Sequence, residues 1–167
     1  MSETDLDIVS DYGLLTLGSR MKRIGEKLQA DSTRIALARG AALQASQYPL
    51  LAALDRLGTA SVGELATALG LAQPGITRSI GELVKLGLVR TRPGRTDARQ
   101  RLVSLTARGQ AEVALGKHDI WPAIEAAVAD LCADFSAPLL AHLAALEAGL
   151  ADRPLDQRIG AQPGTRR

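Results

Sequence analysis

Residues 61–106 read SVGELATALGLAQPGITRSIGELVKLGLVRTRPGRTDARQRLVSLT, and the start, stop and turn signals in this stretch decide the fold. Ser61-Val-Gly-Glu64 has the form of a capping box, in which a serine and a glutamate each satisfy a backbone donor at a helix start. Leu65, Ala66 and Leu69 then share one face, and Gly70 supplies the residue that most readily ends a helix. Pro74 falls in the first turn of a second helix, where its missing N–H costs nothing. Ile76, Ile80, Leu83 and Val84 form its apolar stripe, and Gly87 stops it. The pattern predicts a helix-turn-helix whose second helix exposes Thr77, Arg78 and Glu82.

The next residues predict a hairpin. Leu88 to Arg92 and Arg101 to Leu105 are rich in Leu, Val and Thr, and the polar stretch between them, PGRTDARQ, carries turn residues. From Lys85 to Arg108 there are seven basic residues (Lys85, Arg90, Arg92, Arg95, Arg99, Arg101 and Arg108) against the single acid Asp97, a segment charge of +6. A basic hairpin behind a helix-turn-helix has the charge expected of a surface that neutralises phosphates.

Gln73-Pro74 at the start of the second helix, Asp97-Ala98-Arg99 in the hairpin and Leu105-Thr106 at its end occur in the order and spacing of the MarR family. The stretch resembles that family of winged helix-turn-helix transcription regulators, and the likeness extends from about Leu14 to Leu150. The resemblance implies a homodimer on a pseudo-palindromic duplex, with the second helix in the major groove and the hairpin as a wing along the backbone. It implies a DNA-binding site made of Gln73, Pro74, Gly75, Thr77, Arg78, Arg92, Arg95, Asp97, Arg99 and Arg101. Ala72 stands where the family often has Ser, which removes a cap worth roughly 1 kcal/mol. Gly75 replaces the usual Thr or Ser and so lacks a hydroxyl that could touch DNA. Repressor and activator both stay open, as does a small-molecule effector.

The outer parts of the chain fit the same expectation. At 167 residues, 46% of them apolar and 2% aromatic, one mainly α domain with a small β wing is expected, closely packed through Ala and Leu. The net charge of +2 conceals a basic centre between acidic ends. The first eleven residues hold four acids and read as a loose arm, and Ala111 to Asp152 carries −6. Leu14, Leu17, Met21, Ile24, Leu28, Asp31 and Ile35 predict the seam of a long helix, with Gly18, Gly25 and Ser32 on a second face. Ser46 is expected to cap the next helix, with Pro49 in its first turn and Leu50, Leu51, Leu54 and Leu57 feeding the core. Thr106 is expected to cap a helix from Ala107 to Cys132, kinked or split near Lys117 to Asp119 by Pro122. Ser136 and Pro138 start the last helix, striped by Leu139, Leu140, Leu143, Leu146 and Leu150. A central unit this small cannot cover two amphipathic helices, so residues 12–40 and 107–152 are expected to form a dimer bundle, with 153–167 a flexible tail.

Arg92, Arg95, Arg99 and Arg101, four arginines and no lysine in ten residues, suit phosphate or minor-groove contact better than mere solubility. Asp97 is expected to shape the turn and orient Arg99. His118 and His142 lie far apart with no ligand cluster, so no metal or cofactor is expected. Cys132, the single cysteine, reads as a buried inert thiol and excludes an intrachain disulfide. Trp121 reads as core before ligand cage. No nucleophile with a placed base appears, so an enzyme is not expected. The alternatives are a winged-helix protein-interaction module, against which the +6 segment argues, and the regulatory half of an acetyltransferase-type system, for which residues up to Arg167 leave no catalytic domain. No apolar run reaches membrane-spanning length, and a cytoplasmic protein is expected.

Overall fold

A computed structural model describes residues 7–94, 100–135 and 138–161. The chain divides into two compact units, Met1–Ala126 and Ala127–Arg167. In the first, the one-turn helix α1 (Ile8–Asp11) and a 3-10 turn (Gly13–Thr16) lead into α2 (Leu17–Ala38). The described part of the acidic start is thus structured: the Asp7 carboxylate takes two hydrogen bonds from Arg23, at 3.0 and 2.8 Å. A second 3-10 turn (Ala45–Gln47) precedes α3 (Tyr48–Leu57), and β1 (Thr59–Ser61) precedes α4 (Val62–Leu69) and α5 (Gln73–Lys85). The hairpin of β2 (Val89–Pro93) and β3 (Arg101–Leu105) runs into α6 (Ala107–Leu115). All three strands are antiparallel, in the order β1-β3-β2. The architecture is a winged helix-turn-helix within a mainly α chain, as expected.

Several local expectations need correction. Ser46 caps nothing; Gln44 and Gln47 form a capping box on the 3-10 turn ahead of α3. Leu57 and Val84 stay exposed, at 48% and 42%, because each lies at the edge of its helix stripe. Strand β1, three residues long, was too short to give an alternating pattern; it pairs Ala60 with Val103 and Ser61 with Leu102. Leu14 lies in the 3-10 turn before α2, not in the long helix.

Pro122 acts where the sequence placed its effect. Lacking an N–H, it cannot continue the α ladder, and the backbone widens into a π turn over Gly116–Ile120 before α7 (Trp121–Leu131). Trp121 N–H donates to Gly116 O, five residues back. The indole lies so close over Gly116 that a Cβ there would sit 2.8 Å from the ring. Trp121 also meets Tyr48 edge-on, with ring centroids 6.1 Å apart. It is half-buried against the core, as read.

That core comprises Leu43, Leu50, Leu51, Leu54, Leu65, Ile76, Ile80, Leu83, Leu88, Val103, Val113 and Ile120. One acid is buried with it. Glu112 of α6 accepts from the Tyr48 hydroxyl (2.8 Å) and from the Ala42 N–H (3.2 Å), tying α6 to α3 and to the loop after α2. Burial first, then this bond, holds the Tyr48 hydroxyl above its ordinary pKa, so it remains a donor.

In the second unit α8 (Leu139–Asp152) is followed by a 3-10 turn (Leu155–Ala161) where a tail was expected. Arg158 donates to Arg153 O (2.6 Å) and to Gly149 O, satisfying carbonyls at the end of α8. Cys132 is half-buried, not buried. The residues expected to start α8 include Ser136, which lies outside the described residues; Pro138 stands at the N-cap.

Removing the Glu112 carboxylate leaves two donors without their acceptor. Glu112→Ala should cost about 2 kcal/mol in urea unfolding and Tyr48→Phe about 1 kcal/mol. The double variant should lose less than the two single losses combined, because both remove the same bond; strict additivity would contradict the link.

Candidate nucleic-acid interface

Helices α4 and α5 are held at a tight turn by local chemistry alone. Ser61 N–H donates to Glu64 Oε2 (2.7 Å) while Ser61 Oγ accepts from Glu64 N–H (3.2 Å), the capping box read from the sequence. The bond from Ser61 N–H, then a second from its hydroxyl to the same Oε2 (2.7 Å), hold the Glu64 carboxyl below its usual pKa. Gly70 takes a left-handed conformation, φ +63°, and Leu71 N–H reaches back to Ala66 O. No side chain caps α5 at Ala72, as its sequence implied. The first turn of α5 is exposed, so the positive end of its dipole is uncapped by any side chain among the described residues.

Ile76, Ile80 and Leu83 face the core, leaving Gln73, Pro74, Gly75, Thr77, Arg78, Gly81, Glu82 and Lys85 exposed. Not all of these are free. The Thr77 hydroxyl donates to Gln73 O (2.9 Å), and Gln47 Nε2 donates to Glu82 (3.2 Å). Arg78 has no ion pair or hydrogen bond among the described residues.

The other end of α5 is fastened to the hairpin. Leu88 N–H donates to Leu83 O across Gly87, whose φ is +70°. Thr106 Oγ1 donates to Gly87 O (2.7 Å) and accepts from Gly109 N–H (3.1 Å), so it caps α6 and ties down the end of α5 together. Arg108 donates to Leu86 O (2.9 Å). Gly109 approaches Leu88 so closely that a Cβ would lie 2.0 Å from its carbonyl oxygen.

On the hairpin, Arg92 pairs with Leu102 and Arg101 with Pro93. Alternation along the strands places Arg90 and Arg92 on one face and Arg101, with the buried Val103, on the other. Arg90 donates to Ser104 Oγ (3.2 Å). Of the ten residues implicated by sequence, α5 brings together Gln73, Pro74, Gly75, Thr77 and Arg78, and the hairpin carries Arg92 and Arg101. Arg95, Asp97 and Arg99 lie outside the described residues.

Residues 43–100 match the MarR family model. Solved structures extend the likeness of fold over most of the chain. The transcriptional regulator MOSR of M. tuberculosis, in complex with DNA, is 26% identical with a TM-score of 0.67, covering 82% of this chain and 98% of its own. A mutant MarR from E. coli complexed with operator DNA is 21% identical with a TM-score of 0.63, covering 80% and 92%. The transcriptional regulator BldR of Sulfolobus solfataricus is 19% identical with a TM-score of 0.61, covering 83% and 94%. No curated protein matches the chain. No described helix is long and apolar enough to cross a membrane.

In and beside the matched segment, sequence reasoning missed Gln47 and the internal use of Arg90 and Arg108. The Gln44-x-x-Gln47 spacing was the available signal for the first. Nothing local marks an arginine that will bond a carbonyl.

The capping box makes a pH prediction. The folded Glu64 pKa is lowered, so its contribution is present above the ordinary glutamate pKa and is lost as pH falls through the lower folded value. The melting temperature of the wild type should therefore drop below about pH 4.5 by more than that of Glu64→Gln. Equal drops in both would show that Glu64 contributes nothing.

Proposed function

We propose that this protein is a DNA-binding transcription regulator that acts in the cytoplasm as a homodimer. The observation that carries the reading is the outward face of α5, where Gln73, Pro74, Gly75, Thr77 and Arg78 stand exposed beside a basic hairpin. An uncapped helix N-terminus and an arginine with no partner among the described residues suit a phosphate-lined groove. The DNA complexes of MOSR and of the mutant MarR point the same way. Arg92, Arg95, Arg99 and Arg101 supply phosphate contacts from the wing, and Asp97 orients Arg99.

The dimer reading rests on apolar surface. Leu14, Leu15, Leu17, Met21 and Ile24 are exposed at the N-terminal end, and Leu139, Leu140, Leu146 and Leu150 are exposed on α8. A second copy covers both sets. An effector would find room in a cavity of 290 Å³ lined by Gln29, Ser32, Tyr48, Pro49, Trp121 and Ile124.

A gel shift on duplexes selected from a random pool tests the function at several salt concentrations. Arg78→Ala should cost roughly 1–3 kcal/mol on the selected site and relax preference at one position per half-site. Replacing one wing arginine should weaken specific and random DNA alike and lower the salt slope by about one. Inserting half a helical turn between half-sites, spaced roughly 10 base pairs apart, should abolish binding. In sedimentation the intact chain should run as a dimer, and a chain cut after Cys132 as a monomer or aggregate. Binding with no salt dependence, or indifference to Arg78→Ala and to every wing substitution, would reject the reading.

A further inference from the structure

The outward face of α5 contains a glycine that nothing in the described chain requires. Gly81 lies inside a 13-residue helix with helical backbone, not in a turn. A Cβ built on it meets no atom within 4 Å. Glycine weakens a helix interior relative to alanine, and here no neighbouring residue compensates by packing into the space. The missing side chain leaves a notch in the face, and its borders are known. Thr77 stands one turn before, Arg78 three residues before and Lys85 one turn after, all exposed.

The chemistry of the notch is apolar on one side. Thr77 commits its hydroxyl to Gln73 O, which leaves its methyl as the branch free for outside contact. Val84, three residues beyond Gly81, adds an exposed apolar side chain on the same side of the helix. A methyl, a gap and a further pair of methyls follow one another along this side of the helix. In the major groove the projecting apolar group is the C5-methyl of thymine. A helix with a Cβ at this position would stand further off.

Resting on the DNA-binding reading above, we propose that Gly81 is a specificity-determining residue: its notch, walled by Thr77 and Val84, admits a thymine methyl and selects a T·A pair in each half-site. Arg78 fixes the neighbouring base edge, and Gly81 reads shape at the next.

The test uses the full chain and duplexes selected from a random pool. Each thymine of the selected site is replaced in turn by deoxyuridine, which lacks only the methyl. One position per half-site should lose about fourfold in affinity, the value of one buried methyl group. Gly81→Ala should raise the melting temperature yet lose at least about fivefold on the selected site, with random DNA bound as before. Thr77→Ser keeps the hydroxyl and removes the methyl, and should shrink the deoxyuridine effect. Sequence-selective binding that is indifferent to every deoxyuridine, or a Gly81→Ala protein that keeps the wild-type affinity and methyl dependence, overturns this inference alone. Absence of any sequence preference overturns the DNA-reading function and this inference with it.

Discussion

The end of α5, the start of β2 and the start of α6 meet at one crowded point, and the rest of the winged unit is arranged by it. Gly109 packs against the Leu88 carbonyl with no room for a Cβ, and Thr106 bonds Gly87 O, Leu88 O and Gly109 N–H from a single hydroxyl. Arg108 adds a bond to Leu86 O. The backbone N–H groups of Leu86, Gly87 and Leu88 close the end of α5, and the hairpin's exit binds the carbonyls of those same three residues. The helix face and the hairpin are thereby fixed to each other at their shared root. A similar economy holds at the other end of the sheet, where Ser61 is the last residue of β1, partner of Leu102, and the N-cap of α4.

This arrangement changes how the charge of the segment is understood. Seven basic residues against one acid gave +6 by counting, but Arg108 and Arg90 make internal bonds. Glu82, an acid on the outward side of α5, is engaged by Gln47, whose own amide oxygen accepts from Gln44 N–H. Both ends of that amide are committed, which fixes its orientation. Among the described residues Lys85, Arg92 and Arg101 remain, the two arginines on opposite faces of the hairpin. Arginines on both sides of a ribbon suit a groove with a phosphate wall on each side better than a flat surface.

What was legible in the sequence was local. Ser61 and Glu64, Gly70, Gly87, Pro74 and Thr106 announce their roles because capping, left-handed turns and the missing proline N–H are decided within a few residues. The disruptive effect of Pro122 was legible too, though only the structure gives its form as a π turn over Gly116. Interactions that depend on distant segments were not. Glu112 looks like any surface acid until Tyr48 and Ala42, some seventy residues earlier in the chain, enclose it. Gln44 is a poor capping residue by propensity, so Ser46 looked better placed than it is. Val84 belongs to the stripe by spacing, yet the stripe at its edge runs out of core to pack against.

The same distinction explains the long N-terminal helix. Its seam is apolar by spacing, yet α2 has a single buried residue, Ala36, near its end. Leu14 before it is 87% exposed and Ile24 within it 54%. Periodicity reports that a face demands burial; it does not report what supplies it. An isolated helix of this length gains little from propensity, and Gly18 and Gly25, with nothing within 4 Å of a Cβ at either, weaken it further. The residues that make α2 a poor helix by itself are small ones on a face beside the apolar seam. A closely crossing helix resolves both features, since glycines permit the approach and the seam rewards it. In the homodimer proposed above, the second copy would bring such a helix by symmetry.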